Sequence, residues 1–336
     1  MIRTRPLERY AQLALGLLLG EAKSPAALAA LDWSFLTRVA ERNGILVRLA
    51  DRLTALGVAL PHGFKQAADR ERHRARAALD ALRHIRTACA RHGIVWLLPK
   101  ALSRLPDVGD DLDLLVLEPA SVVDALMLEG LAVTARPRTL THRLTGSTVY
   151  TTASGVVVDI HHSRLGSVGQ HTRFPAVLVR NARPAAMGGT EFLVPSPADQ
   201  VVLQGVEKVA GRRSIALADV LQTIVLVRQN ALDWDYVAGT AWEHGAEAGL
   251  GCYLHYVDEI HARLAGRRLV PRETLQALWP GRWGRTRFSE AGFRFPALWV
   301  TACIHARQFA RALGARDWKT AARVGAWAPA VIAGRL

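Results

Sequence analysis

The segment Gly109–Val116 constrains this chain more than any other part of its sequence, because it places carboxylates at the start of an apolar strand. It reads Gly-Asp-Asp-Leu-Asp-Leu-Leu-Val. A β-strand has a period of two, so Asp111 and Asp113 project from one face while Leu112 and Leu114 enter a core on the other. Two neighbouring carboxylates repel each other unless a cation lies between them. The segment therefore predicts a cation site, and its oxygen ligands suit Mg²⁺.

A second acidic strand follows at Val156–His162, where Asp159 stands among β-branched apolar residues. A lone charge is unfavourable in such surroundings. If this strand lies beside the first one, the carboxylates of Asp111, Asp113 and Asp159 converge. Such a cluster holds two metal ions, one to activate an attacking oxygen and one to clamp a triphosphate. Taken singly, each motif also fits a turn residue or a buried ion pair, but their joint order favours the metal site.

The remaining pattern predicts an α/β (α+β) fold, with a small mixed β-sheet flanked by N- and C-terminal helical regions. Residues 1–92 and 196–336 have helical spacing of apolar residues, including one long helix over 63–92. Residues 93–195 form the mixed middle region. Strands are predicted at Ile94–Leu98, Leu112–Leu117, Leu131–Ala135, Thr148–Thr152 and Val156–His162, the last two as a hairpin, with a helix at Ser121–Gly130. The C-terminal helices are predicted at Pro197–Ala210, Ile215–Asn230, Trp234–His244 and Ala246–Leu264, followed by one or two amphipathic helices in the last forty residues.

The net charge of +14 has two interpretations that the sequence leaves open. A basic surface attracts nucleic acid, nucleotides or acidic headgroups. However, only five of the 43 basic residues are lysine, and a strong preference for arginine is also a compositional feature of GC-rich genomes. Two groups are candidates for a basic face, of which the first is more often a solvated helix surface: Arg70, Arg72, Arg74 and Arg76, and Arg307, Arg311, Arg316, Lys319 and Arg323.

Cysteine usage and hydropathy point to a cytoplasmic protein with no membrane association. Cys89, Cys252 and Cys303 are far apart and form no CxxC pair, so a zinc site of cysteines and a disulfide framework are both disfavoured. The apolar segment Ala11–Gly20 is short and flanked by charges. No run reaches the length of about 18 apolar residues that a membrane span needs.

Several further polar residues are weaker candidates for function. His161 or His162 fits a proton carrier, although a histidine on a strand edge is more often a packing residue. Arg164, just past the second acidic strand, is placed to meet a phosphate. Asp219 fits a residue that orients a basic side chain such as Arg212 or Arg213, or equally a carboxylate on a helix surface with an intrahelical partner.

Four segments together resemble a known family. They are Gly93–Lys100, Asp111–Val116, Val158–His162 and Leu217–Leu221. In this order they are similar to the strand-turn, the acidic strand, the acidic hairpin and the helical element of the uncharacterised nucleotidyltransferase family proteins, a group within the DNA polymerase β-like superfamily. The resemblance covers about residues 30 to 270, and its specific parts are the two acidic strands.

The resemblance implies a nucleotidyltransferase core at 93–195 that moves a nucleoside monophosphate from an NTP to an acceptor hydroxyl and releases pyrophosphate. It implies Mg²⁺ or Mn²⁺ as cofactor, with Asp111 and Asp113 binding both ions and Asp159 binding the catalytic one. Lys100 and Ser103, with Arg164, are the candidates for binding the nucleotide. The sequence departs from the family where Lys100 is followed by Ala101, since a glycine there lets the backbone approach phosphate closely. Lys100 is therefore either a phosphate ligand or a solvated loop residue.

The acceptor is not visible in the sequence. A small molecule or a peptide is slightly favoured over tRNA, because the arginine bias explains much of the charge without a polyanionic partner. The alternative function is a catalytically degenerate nucleotide- or RNA-binding module of the same fold.

Overall fold

The computed structural model describes residues 6–21, 31–100, 105–109, 111–119, 123, 134–135, 146–165, 173–209, 214–278 and 284–333. Helices predominate in these ranges, and short strands form small mixed sheets between them. This arrangement confirms the α/β (α+β) class predicted from the sequence.

Four helices precede the sheet, and the last of them supports it. They are α1 (Pro6–Leu19), α2 (Trp33–Arg42), α3 (Leu46–Ala55) and α4 (His62–Arg91). The 30 residues of α4 form the single long helix that the sequence predicts over 63–92. Its buried positions Ala75, Ala78, Leu82 and Ile85 follow the spacing of three and four residues that aligns side chains along one stripe. This stripe packs against the sheet.

The central sheet has five strands in the order β1-β2-β5-β4-β3. They are β1 (Trp96–Leu97), β2 (Leu112–Val116), β3 (Thr134–Ala135), β4 (Ser147–Thr151) and β5 (Val157–His162). Strands β2 and β5 run parallel, and the other neighbours are antiparallel. The predicted hairpin is confirmed, because β4 and β5 pair and Gly155 closes their turn with a φ of 78°.

The two faces of the sheet lie in different surroundings. Leu112 and Leu114 of β2 and Ile160 of β5 point towards α4 and are buried with its apolar stripe. Leu115, on the other face, belongs to a large core that also contains residues of α1 to α3 and of the helices that follow the sheet. This second face is the one that carries the acidic residues of β2 and β5, because they alternate with the leucines.

The chain beyond the sheet is mostly helical, with two small additions of strand. Its elements are α5 (Phe174–Arg180), β6 (Arg183–Met187), β7 (Thr190–Val194), α6 (Pro197–Glu207), β8 (Ser214–Ile215), α7 (Leu217–Gln229), α8 (Trp234–Glu243), α9 (Glu247–Ala265), α10 (Arg272–Leu278), β9 (Arg287–Ser289), β10 (Gly292–Arg294), α11 (Ala297–Gly314) and α12 (Trp318–Ala333). Among the described residues, no helix combines the length and the apolar character needed to cross a bilayer.

The hairpin of β6 and β7 was not predicted, since its strands lack a clear alternation of apolar residues. Ile215 was expected to begin a helix but pairs with Phe293 in a small sheet, and α7 begins two residues later. The predicted helix Ser121–Gly130 falls almost entirely outside the described residues, apart from the buried Val123.

Helices α6 and α9 cross at a point where both carry glycine. A Cβ added to Gly205 of α6 would lie 2.4 Å from the Cα of Leu250 and 2.5 Å from its backbone nitrogen. A Cβ added to Gly249 of α9 would lie 2.4 Å from the carbonyl oxygen of Gly205. Because the opposing atoms are backbone, they cannot turn aside as a flexible side chain would. The close crossing fixes α6, whose C-terminal end reaches the acidic face of the sheet.

We expect Gly205→Ala to destabilise the protein by about 1–3 kcal/mol, the usual cost of inserting a methyl group into a packed interface. Gly239→Ala is the matched control, because Gly239 also lies in a helix but has open space around its Cα. Alanine there gains up to roughly 1 kcal/mol of helix propensity. Denaturant unfolding of both variants measures the difference, and equal midpoints would contradict the proposed crossing.

Candidate active site

The parallel pairing of β2 with β5 sets Asp113 directly beside Asp159. Their Cα atoms are register partners, so both side chains project from the same face of the sheet. Asp113 is buried, and Asp159 is half-buried. Ser147 begins the next strand, β4, and its side chain hydrogen-bonds to Asp159. The two carboxylates expected from the sequence to share a site are therefore neighbours in the structure.

His161 completes a compact cluster with these carboxylates. It lies two residues beyond Asp159 on β5, so it shares the same face. Its Nε2 atom is 3.1 Å from Oδ1 of Asp113 and 3.8 Å from Oδ2 of Asp159. One ligand atom from each of the three residues lies within 4.8 Å of the other two. This spacing is small enough for one ion to contact all three.

Two polar atoms of the cluster are buried and lack hydrogen-bond partners among the described residues. They are Oδ1 of Asp159 and Nδ1 of His161. A buried carboxylate oxygen without a partner is unfavourable, and a bound cation removes the penalty. The donor set, two carboxylates and an imidazole, is one that divalent metal ions accept. The residues present therefore fit a divalent cation.

The electrostatics of the cluster keep one carboxylate ionised. Burial opposes ionisation of Asp113, but the Lys100 ammonium and the hydrogen bond from His161 outweigh it and hold the pKa of Asp113 well below its usual range. Burial raises the pKa of Asp159, and the negative charge of Asp113 raises it further. Burial would lower the pKa of His161, yet its hydrogen bond to Asp113 and the charge of that carboxylate raise it overall. Asp113 is thus the anionic centre of the site.

Lys100 joins this centre to a residue that the sequence analysis did not single out. Its Nζ atom lies 3.2 Å from Oδ2 of Asp113 and 3.0 Å from Oε2 of Glu207, the last residue of α6. All three side chains are nearly buried. The sequence contained one indication of this role for Glu207. A carboxylate at the C-terminal end of a helix is disfavoured by the helix dipole, so a cationic partner is expected nearby. Lys100 is accordingly not the solvated loop residue of the alternative interpretation.

Lys208, the residue after Glu207, also holds the C-terminal end of α6 in place. The ammonium of Lys208 lies 2.7 Å from Oδ1 of Asp219 in α7, and both side chains are buried. Asp219 is thus a buried residue that pairs with a basic side chain, so it is not a carboxylate on a helix surface. Residues 212–213 lie outside the described residues.

The remaining predicted site residues are Asp111, Ser103 and Arg164. Asp111 immediately precedes β2, is exposed and does not belong to the cluster of Asp113, Asp159 and His161. Ser103 lies outside the described residues. Arg164 follows the end of β5 and packs against Gly146, where an added Cβ would lie 3.1 Å from its Cδ.

The loop that leads into β2 is fastened to the N-terminal helices. Asp107 is buried and accepts hydrogen bonds from the backbone nitrogen of Val47 at 2.6 Å and from Nε of Arg48 at 2.9 Å. These contacts place a carboxylate at the first turn of α3, where it is favoured by the helix dipole. The backbone nitrogen of Val108 donates to Glu71 of α4 at 3.1 Å. The entry to the acidic strand is therefore held by two helices.

A comparison with protein-family models matches residues 29–262 to the family described as "Uncharacterised nucleotidyltransferase". This match spans more than half of the chain and includes every residue of the cluster. The chain belongs to this family. Membership supports nucleotidyl transfer as the general activity and is consistent with a metal site of two aspartates and a histidine. No curated protein matches the chain.

We expect Glu207→Gln to destabilise this nucleotidyltransferase-family protein by about 1–3 kcal/mol, because the substitution keeps the shape but leaves the nearly buried Lys100 with one carboxylate fewer. Glu191→Gln, at an exposed position of β7, is the matched control and should change stability little. Urea unfolding of both variants without added metal measures the effect. Identical unfolding of Glu207→Gln and the unmodified protein would show that Glu207 does not restrain Lys100.

Proposed function

We propose that this protein is a metal-dependent nucleotidyltransferase, which moves a nucleoside monophosphate from an NTP to an acceptor hydroxyl and releases pyrophosphate. The observation that carries the proposal is the pairing of Asp113 with Asp159 on adjacent parallel strands, with a buried carboxylate oxygen that lacks a partner among the described residues. Family membership supports the same class of reaction.

In this proposal Asp113 and Asp159 bind Mg²⁺ or Mn²⁺. Asp111 is proposed as a further ligand, since it lies two residues before Asp113, immediately before β2. The bound ions would supply charge neutralisation at the phosphates and would lower the pKa of an oxygen they contact. Catalysis of phosphoryl-type transfer otherwise rests on positioning.

The chain's own residues have the following roles. The acceptor oxygen forms a bond to the α-phosphorus while the bond between that phosphorus and the pyrophosphate oxygen breaks. Asp159 takes the proton from the acceptor hydroxyl. Lys100 steadies the triphosphate with a point charge, and its contact with Glu207 keeps its ammonium beside the reacting centre. Ser103 and Arg164 are proposed as further contacts to the nucleotide.

A small molecule or a peptide remains the favoured acceptor over tRNA. The arginines considered as a basic face on α4 are largely matched by neighbouring carboxylates: Arg70 with Glu41, Arg72 with Asp51 and Asp69, and Arg74 with Glu71. Arg307 and Arg311 both lie within 4 Å of Glu247. Local ion pairs of this kind reduce the charge available for a phosphate backbone.

The central test is transfer of label from each α-labelled NTP, with Mg²⁺ or Mn²⁺ and candidate acceptors. We expect Asp113→Asn to lower turnover by roughly a hundredfold or more, because it removes the anionic centre of the site. The matched control is Asp235→Asn, at an exposed position in the first turn of α8, which should leave turnover unchanged. Full activity of a correctly folded Asp113→Asn protein would refute the assignment.

Binding can be measured apart from turnover. We expect the melting temperature to rise when an NTP is added together with Mg²⁺ or Mn²⁺, since a ligand at about 100 times its Kd stabilises the folded state by roughly 2.7 kcal/mol. Differential scanning fluorimetry across the NTPs gives this readout. A flat melting temperature would argue against a nucleotide site. Salt-sensitive RNA binding without turnover would instead favour the degenerate binding module, which the replacement of the expected glycine by Ala101 makes a reasonable second candidate.

A further inference from the structure

We infer that Nε2 of His161 is a direct ligand of the divalent ion held by Asp113 and Asp159, and that this imidazole makes the site prefer Mn²⁺ to Mg²⁺. The inference deepens the proposed function and rests on its metal-binding part alone.

The geometry of the three ligand atoms supports coordination of one ion. Neighbouring ligands of an octahedral ion with bonds of about 2.1 Å stand roughly 3 Å apart, and opposite ligands about 4.2 Å apart. Nε2 of His161 lies 3.1 Å from one oxygen of Asp113 and 3.8 Å from one oxygen of Asp159. Both separations fall within the range that a single ion spans. Only small shifts are needed to place an ion among the three atoms.

An ion can take the place of the hydrogen bond between Asp113 and His161, because Nε2 of His161 releases its proton as the ion binds. The Oδ2 atom of Asp113 faces the Lys100 ammonium at 3.2 Å, whereas its Oδ1 atom faces His161. An ion bound through Oδ1 therefore does not have to displace Lys100. The buried Oδ1 atom of Asp159, which has no partner among the described residues, supplies a further oxygen. Lys100 thus keeps its contact with Glu207 while the ion is bound.

The ligand types decide the preference between the two metals. Mg²⁺ is a hard ion that favours oxygen ligands and loses bound water reluctantly. An imidazole nitrogen is a better ligand for first-row transition ions, whereas carboxylates suit Mn²⁺ and Mg²⁺ alike. A site of two carboxylates and one imidazole therefore favours Mn²⁺, and a site of carboxylates alone would not distinguish the ions in this way.

The test compares metal affinities rather than activity. The full-length protein is stripped with EDTA and titrated separately with Mn²⁺ and Mg²⁺ by calorimetry. We expect Mn²⁺ to bind at least about tenfold more tightly than Mg²⁺. His161→Asn should weaken Mn²⁺ binding by roughly 10- to 100-fold and Mg²⁺ binding much less, so the affinity ratio collapses. His162→Asn is the matched control, because its side chain contacts Thr148 instead of the cluster, and it should leave the ratio unchanged.

A spectroscopic measurement makes the test independent of whether a variant folds. Electron spin echo modulation of Mn²⁺ bound to the unmodified protein should show coupling to a nitrogen nucleus, and its absence would overturn the inference. An equal loss of both metals in folded His161→Asn would also overturn it, since a histidine that only positions Asp113 affects both ions alike. If Mn²⁺ binds with the expected preference but no NTP is turned over, the inference stands and the proposed function fails. If neither ion binds, both fail.

Discussion

The register between β2 and β5 is the constraint on which the rest of the site depends. Parallel pairing aligns Asp113 with Asp159, so two carboxylates face each other across adjacent strands. A shift of one residue would turn Asp159 towards the apolar stripe of α4 and bring Val158 to the polar face. The leucines of β2 prevent this, because they are buried against α4. The hydrophobic side of the sheet thus enforces an arrangement of charges on the other side that is unfavourable by itself.

The C-terminal end of α6 helps to stabilise these negative charges, because it positions a cationic side chain beside them. Glu207 contacts Lys100, which in turn contacts Asp113, and the next residue, Lys208, pairs with Asp219 in the core. The helix is held in place by its glycine crossing with α9. The acidic face of the sheet is therefore coupled to the helical core through one helix end. The family match includes these same elements, from the N-terminal helices into the helices after the sheet.

Local patterns were sufficient to locate the main strands and the long helix. Alternating apolar and acidic residues marked β2 and β5, and the turn-forming residues between β4 and β5 marked their hairpin. The extent of α4 followed from its spacing of apolar residues. The β6–β7 hairpin and the short strand at Ser214–Ile215 were missed, because such strands are stabilised by partners distant in sequence and have a weak local signal.

The sequence by itself determined which residues bear the charges, and that Asp113 and Asp159 lie on two separate apolar strands. Only the tertiary structure decided that His161 joins Asp113 and Asp159 while Asp111 lies outside their cluster, and that Lys100 meets Glu207. The physical reason is distance along the chain. Periodicity fixes the side on which a residue projects, but contacts between residues 48 or 107 positions apart depend on how strands pair and helices cross.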